Sequence, residues 1–285
     1  MPKEEILKKV FGESAKIERP LMGGMMNESL IVSFEGKKYV LYLPTKQANE
    51  MVDRKIEKED QAKVQALGIT SNNFYFDENT GIKANEFIEG KSLNQLDEFD
   101  VKKVAKILKT LHNSNILAGS DYNPFGRFLG YEAEAKTFVK DLGNDYQILH
   151  KTIYEFKEFL EKQKKVFCHN DYQRSNIVRS DKDEYFMIDF EFTGNNDPIY
   201  DIATFGNGSV KEGYDLLVEY FGKPSKEEKM RYYLWRIFVS LQWHLVALVK
   251  HYRGEGKTHG MNFLDVASFF MENAKEAYRG YLSIK

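Results

Sequence analysis

Between Val166 and Ile202 the chain reads VFCHNDYQRSNIVRSDKDEYFMIDFEFTGNNDPIYDI, and two short apolar runs in it leave little conformational freedom. Asn176-Ile177-Val178 and Tyr185-Phe186-Met187-Ile188 flank a polar turn from Arg179 to Glu184, the pattern of a β-hairpin. Pairing the two runs holds the hairpin ends together and should bring Asp171, Asn176 and Asp189 to one rim. Asp and Asn are ordinary turn residues that bond their own backbone, so an Asp followed five residues later by an Asn carries little by itself. Joined to a hydrophobic hairpin that ends in Ile188-Asp189-Phe190, the spacing becomes specific.

An acid, an amide five residues on and a second acid beyond a short hairpin match the H-R-D-x-x-x-x-N and D-F-G apparatus of protein kinases. There the first Asp takes the acceptor hydroxyl, and the Asn and second Asp hold magnesium. Here the text is His169-Asn170-Asp171, then Asn176, then Asp189-Phe190-Glu191.

Composition narrows the classes. An apolar fraction of 42% and a charged fraction of 29% are those of a soluble globular protein, and 285 residues suffice for one large domain or two lobes. A formal charge of -2 with no basic stripe argues against nucleic acid as a partner. Cys168 is the single cysteine, so no internal disulfide can form and a reducing, cytoplasmic setting is expected. Met1 to Val10 lacks the apolar core of a signal peptide. Ile237 to Val249, the most apolar stretch, is too short and too polar to span a bilayer and reads as a core helix, so no membrane partner is expected. No obligate protein partner can be inferred.

Along the chain, Pro2 to Phe11 should form a short helix stopped by Gly12. Strand-like runs follow at Lys16 to Met22, Ser29 to Phe34 and Lys38 to Leu43, the last two joined by the tight-turn pair Glu35-Gly36. Between the first two lies Gly23-Gly24-Met25-Met26-Asn27-Glu28-Ser29, either a plain hairpin turn or a glycine loop whose backbone N–H groups cover a phosphate. Glu50 to Leu67 reads as an amphipathic helix in which Glu57 is either a solvated charge or the partner of a phosphate-binding cation. Asn73 to Phe76 and Ile82 to Phe87 form another expected hairpin. From Asp100 onward the pattern is mostly helical: Asp100 to Leu111, Tyr131 to Leu142, Thr152 to Lys164, Val210 to Phe221, a long helix from about Lys226 to Tyr252 behind a Ser225/Glu228 capping box, and Met261 to Tyr281. The shift puts a boundary near residue 90, dividing the chain into 1–90 and 91–285, which a kinase-like resemblance would make a nucleotide-binding lobe and a catalytic and substrate-binding lobe. Trp235 and Trp243 on the long helix read first as core.

The chain resembles the choline kinase family, in its bacterial LicA-type branch, which belongs with the aminoglycoside phosphotransferases among kinase-like enzymes. The resemblance rests on Gly23 to Asn27, Tyr39-Val40-Leu41, Asp53-Arg54 with Glu57, Glu86-Phe87-Ile88-Glu89-Gly90 and Asn123-Pro124-Phe125. It is strongest in His169 to Asn176, in Ile188 to Phe192 and from Gly194 through Asp197-Pro198 to Ala203. Glu191 stands where a protein kinase has glycine, which disfavours protein substrates.

The resemblance implies an α+β, bilobal protein-kinase-like fold with a small β-rich lobe and a larger helical one. It implies ATP and Mg2+ as cofactors and a small choline-like alcohol as acceptor. Asp171 would orient the alcohol and accept its proton; Asn176 and Asp189 would bind magnesium; Glu191 would assist the metal or the alcohol. Gly23, Gly24, Met25, Asn27 and Ser29 would cover the phosphates, and backbone groups of Glu86, Phe87 and Ile88 would hold adenine. Asp201 would brace the catalytic loop; an ordinary helix cap is the plainer reading of it, and the two roles are compatible.

Two departures from the family pattern bear on substrates. Tyr42 stands where the strand after the glycine loop usually has a basic residue, so Lys38, on the same side by strand alternation, or Lys46 would have to substitute. Among the aromatic residues expected to cage a quaternary ammonium, Trp243 is retained, while Val246 and Val266 replace two rings; Tyr200, Trp235, Tyr252 and Phe263 are the substitutes available. Choline leads as acceptor, ahead of ethanolamine, thiamine and an aminoglycoside. A catalytically impaired nucleotide- or amine-binding protein is the reading from another class.

Overall fold

The computed structural model describes residues 2–21, 27–256 and 260–285. In chain order its elements open with α1 (Lys3–Phe11), β1 (Lys16–Leu21), β2 (Asn27–Phe34), β3 (Lys37–Pro44), α2 (Lys46–Met51) and α3 (Arg54–Ala66). Then come β4 (Asn73–Phe76), β5 (Lys83–Glu86), β6 (Gly90–Ser92), α4 (Val101–His112), α5 (Pro124–Phe138), α6 (Asn144–Glu155) and α7 (Lys157–Glu161). The remainder is β7 (Val166–Cys168), β8 (Ile177–Ser180), β9 (Tyr185–Met187), β10 (Gly194–Asn196), α8 (Pro198–Phe205), α9 (Val210–Phe221), α10 (Lys226–Tyr252) and α11 (Phe263–Ile284). The class is α+β.

Two compact units divide the chain: Met1–Asp97 with Ser175–Thr193, and Glu98–Arg174 with Gly194–Lys285. The β8–β9 hairpin groups with the first unit because β8 pairs with β6, Gly90 opposite Ser180 and Ser92 opposite Val178. Gly90 is required there: its φ is +158°, and a Cβ would stand 2.2 Å from the Arg179 carbonyl oxygen.

The first unit is built on a five-stranded sheet in the order β1-β2-β3-β5-β4. Alternation along the strands sends Leu30, Val32, Tyr39, Leu41, Ile82 and Ala84 to one face, where Ile6, Val10 and Phe11 of α1 close a hydrophobic core. The same alternation leaves Tyr42, Lys83 and Asn85 to the other face, where Lys83 and Asn85 meet Glu57 and Gln61 of α3. The helix expected over 50–67 is two helices, because the Asp53 side chain accepts the N–H groups of Lys55 and Ile56 and starts α3 afresh.

In the second unit α10 packs on α11, α8, α5 and α6, and α4 packs on α9. The capping box at Ser225 and Glu228 starts α10 as expected. The helix expected from Tyr131 begins earlier, since Asn123 caps the Gly126 N–H and Pro124 pre-sets the first turn. Among the described residues no helix is long and apolar enough to cross a membrane.

Candidate active site

Within the first unit the hairpin forms as its apolar runs dictate, Ile177 opposite Met187 and Val178 opposite Phe186. One further bond, Ile188 N–H to Asn176 O at 2.9 Å, extends the pairing past the ladder, so Asn176 lies opposite Ile188 at its open end and Asp189 is the next residue. Asp189 takes a left-handed backbone, φ 67°, which turns the chain sharply out of the strand. A carboxylate and an amide oxygen are hard donors, the chemistry that suits magnesium rather than a thiophilic metal.

A buried charge cluster lies beside them. Lys83 Nζ is 2.5 Å from Glu57 Oε1, 3.7 Å from Glu191 Oε1 and 3.9 Å from Asp189 Oδ1. Arg54 donates to Glu57 at 2.7 Å and to Glu191 at 3.4 Å. The Asn27 amide also donates to Glu191 Oε1. Burial alone would raise the Glu191 carboxyl, but Lys83, the Asn27 amide and Arg54 outweigh it and hold the group below its usual range. Burial likewise works against the Lys83 ammonium, and Glu57, Glu191 and Asp189 reverse the effect and push its pKa up. Glu57 is therefore no solvated face charge; it steadies a cation.

In the second unit the loop carrying Asp171 is pinned from below. Asp201 accepts the backbone N–H groups of Asn170 at 2.6 Å and His169 at 2.8 Å, and the same Oδ2 lies 3.0 Å from His112 Nε2. The helix cap at the start of α8 is Asp197, which takes the Ile199 N–H, so Asp201 serves the loop and not the helix end. Asn170 is left-handed, φ 62°, and its side chain bonds the Gly194 carbonyl and the Asn196 amide. Gln173 then donates to Asp171 Oδ2 at 3.1 Å and fixes the carboxylate. His112, Cys168 and Asp201 lie close enough together to share an ion, but Asp201 is committed to the loop and burial pushes the Cys168 thiol well up, which keeps it protonated.

The remaining expected residues fall as follows. Gly23, Gly24 and Met25 lie outside the described residues. Ser29 sits in β2 opposite Tyr42. Glu86 and Phe87 give their N–H groups to Asn72 O and Lys38 O, so Ile88, just past the strand, is the next residue to present one. Lys38 is exposed and paired with Glu89 at 2.9 Å, and Lys46 is exposed and paired with Glu50 at 3.7 Å. Neither is the cation at Asp189 and Glu191; that is Lys83, which the sequence reading missed. A lysine directly across a strand pair from Tyr42 was the available signal, legible only once the β3–β5 register is known.

Tyr200 and Trp235 meet edge-on at 5.1 Å and are each 1% exposed, with the indole N–H bonded to Asp197, so both rings are core. Trp243, eight residues along α10, stacks instead on Phe270 of α11 with centroids 5.7 Å apart.

The family model for choline/ethanolamine kinases matches residues 19–232, three quarters of the chain. The chain belongs to the choline/ethanolamine kinase family. The LicA protein of Haemophilus influenzae is 27% identical over 262 residues, 86% of this chain and 75% of that protein. The crystal structure of choline kinase LicA from Streptococcus pneumoniae superposes with a TM-score of 0.74 at 23% identity, covering 99% of this chain and 97% of that one. A LicA structure in complex with AMP gives 0.75 at 21% identity, with the same coverage. These structures establish the kinase-like fold, and membership of the choline/ethanolamine kinase family makes the protein a small-molecule kinase that takes ATP and a small alcohol.

Proposed function

We propose that the protein transfers the γ-phosphate of Mg-ATP to the hydroxyl of choline. The observation that carries this reading is Asn176 bonded to Ile188 at the open end of the β8–β9 hairpin with Asp189 the next residue, in the order and spacing of a kinase's metal-binding pair. Magnesium, when bound, would neutralise charge on the ATP phosphates. Asn176 and Asp189 would hold it, the backbone around Ile88 would hold adenine, and the Asp171 carboxylate would orient the alcohol and receive its proton. The cytoplasm is the matching location.

Choline as acceptor rests on family membership and on the Trp243–Phe270 stack, whose faces suit a quaternary ammonium that cannot donate a hydrogen bond. ADP release from purified protein with Mg-ATP, measured across choline, ethanolamine, thiamine and an aminoglycoside, tests the assignment. Turnover with choline, lost in Asp189→Asn, is expected. A different active alcohol would keep the mechanism and change the acceptor, and silence with all four would remove the choline reading.

Trp243→Ala separates the cage from the chemistry. Loss of a cation–π face should raise KM for choline roughly tenfold with kcat nearly unchanged. An unaltered KM would move the acceptor site away from α10.

A further inference from the structure

We propose that Lys83 of β5 is the cation that holds the ATP phosphates, in the role that β3 leaves empty by carrying Tyr42. The inference rests on the kinase reading and names a residue for it.

Strand register makes the exchange geometrically direct. Tyr42 and Lys83 are direct partners across the antiparallel β3–β5 pair. Side chains at such positions start only about 5 Å apart and share one face of the sheet. A cation moved from one strand to the other therefore still reaches the same place. The Lys83 ammonium lies 5.0 Å from the centre of the Tyr42 ring, so the residue that displaced the basic side chain from β3 forms a wall of the cation's new site.

The surroundings exceed what a structural ion pair requires. A lysine with 3% of its side chain exposed needs a partner, and Glu57 alone would supply one. Lys83 instead faces Glu57, Glu191 and Asp189 together, and Asp189 is the carboxylate proposed for the metal. A cation tied to an α3 glutamate and aimed at the metal-binding aspartate is the arrangement that draws phosphate oxygens toward the metal. Lys83 also stands three residues up β5 from Glu86, roughly 10 Å along the strand. That is the order of the distance separating an adenine held just beyond Glu86 from its β-phosphate. The alternative cations Lys38 and Lys46 are exposed and paired elsewhere.

The test compares wild type with Lys83→Met, Lys83→Arg and the double variant Tyr42→Lys/Lys83→Tyr, which returns the charge to β3. The readouts are equilibrium binding of Mg-AMP-PNP and of adenosine, thermal melting, and ATP kinetics. Lys83→Met should weaken Mg-AMP-PNP binding at least tenfold, leave adenosine binding unchanged and lower kcat/KM for ATP on the order of a hundredfold. Lys83→Arg and the double variant should recover most of that loss, and they carry the test if Lys83→Met does not fold. Equal Mg-AMP-PNP affinity in wild type and a folded Lys83→Met, or a double variant that folds without recovering binding, would overturn the assignment of Lys83 alone. A wild-type protein that binds no Mg-AMP-PNP would overturn both this proposal and the kinase reading beneath it.

Discussion

Replacing Asp171 by Asn is expected to lower kcat with the preferred alcohol by about 10²- to 10⁴-fold, the range for losing a positioned proton acceptor. The reason is local. Gln173 Nε2 donates to Asp171 Oδ2 at 3.1 Å, which holds the carboxylate in one orientation. In the variant the amide oxygen would turn to Gln173 to avoid setting two donors against each other, and the NH2 group would face the alcohol with no lone pair to take its proton. Mg-AMP-PNP affinity should stay within twofold, because the nucleotide residues proposed above belong to the other unit. ADP release measured with and without the alcohol, beside nucleotide binding, checks both halves. Retention of more than a tenth of wild-type kcat would remove Asp171 from the chemistry.

Asp201→Asn should cost both stability and activity. Its two oxygens take the buried N–H groups of Asn170 and His169, and Oδ2 also meets His112. An amide can keep one of those acceptor positions; the other becomes an NH2 facing an N–H, a buried donor without an acceptor. Losing one partner of a buried charged network typically costs about 3–5 kcal/mol. For a protein this large that is a fall in Tm of roughly 6–20 °C. A released His169–Asn170 backbone would also let Asp171 drift, so kcat should fall at temperatures where the variant is still folded. A simple helix cap would cost about 0.5–2 kcal/mol and leave kcat alone. Thermal melting together with kcat at low temperature distinguishes the two, and a variant that melts within 2 °C of wild type with unchanged kcat would contradict the brace.

Much of the fold was legible because its signals are local. The hairpin around Arg179 to Glu184, the α10 capping box and the strands at 16–21, 27–34, 37–44, 73–76 and 83–86 follow from periodicity and turn residues that act over a few positions. Helix starts were less legible: Asp53 and Asn123 begin α3 and α5 at places where the apolar pattern runs on or has not yet begun. The short strands β6, β7 and β10 carry no period of their own. They exist because distant partners pair with them, β6 with β8 and β7 with β10.

The candidate site residues divide the same way. Asp171, Asn176 and Asp189, the residues proposed for the chemistry, stand out in the sequence because a loop and a hairpin of fixed length set their spacing. Asp201 could be named as a brace by resemblance, but its bonds to His169 and Asn170 join residues about thirty positions apart and emerge only when β7 and α8 are packed. Lys83 was not legible at all. Read along the chain it is one of many lysines on an ordinary strand, and Tyr42 looks like a lost charge. The sequence picked out the groups proposed for the chemistry; the pairing of β3 with β5 decided which lysine lies beside Asp189 and Glu191. A side chain's face follows from its own strand, whereas the residue opposite it is set by a strand forty positions away.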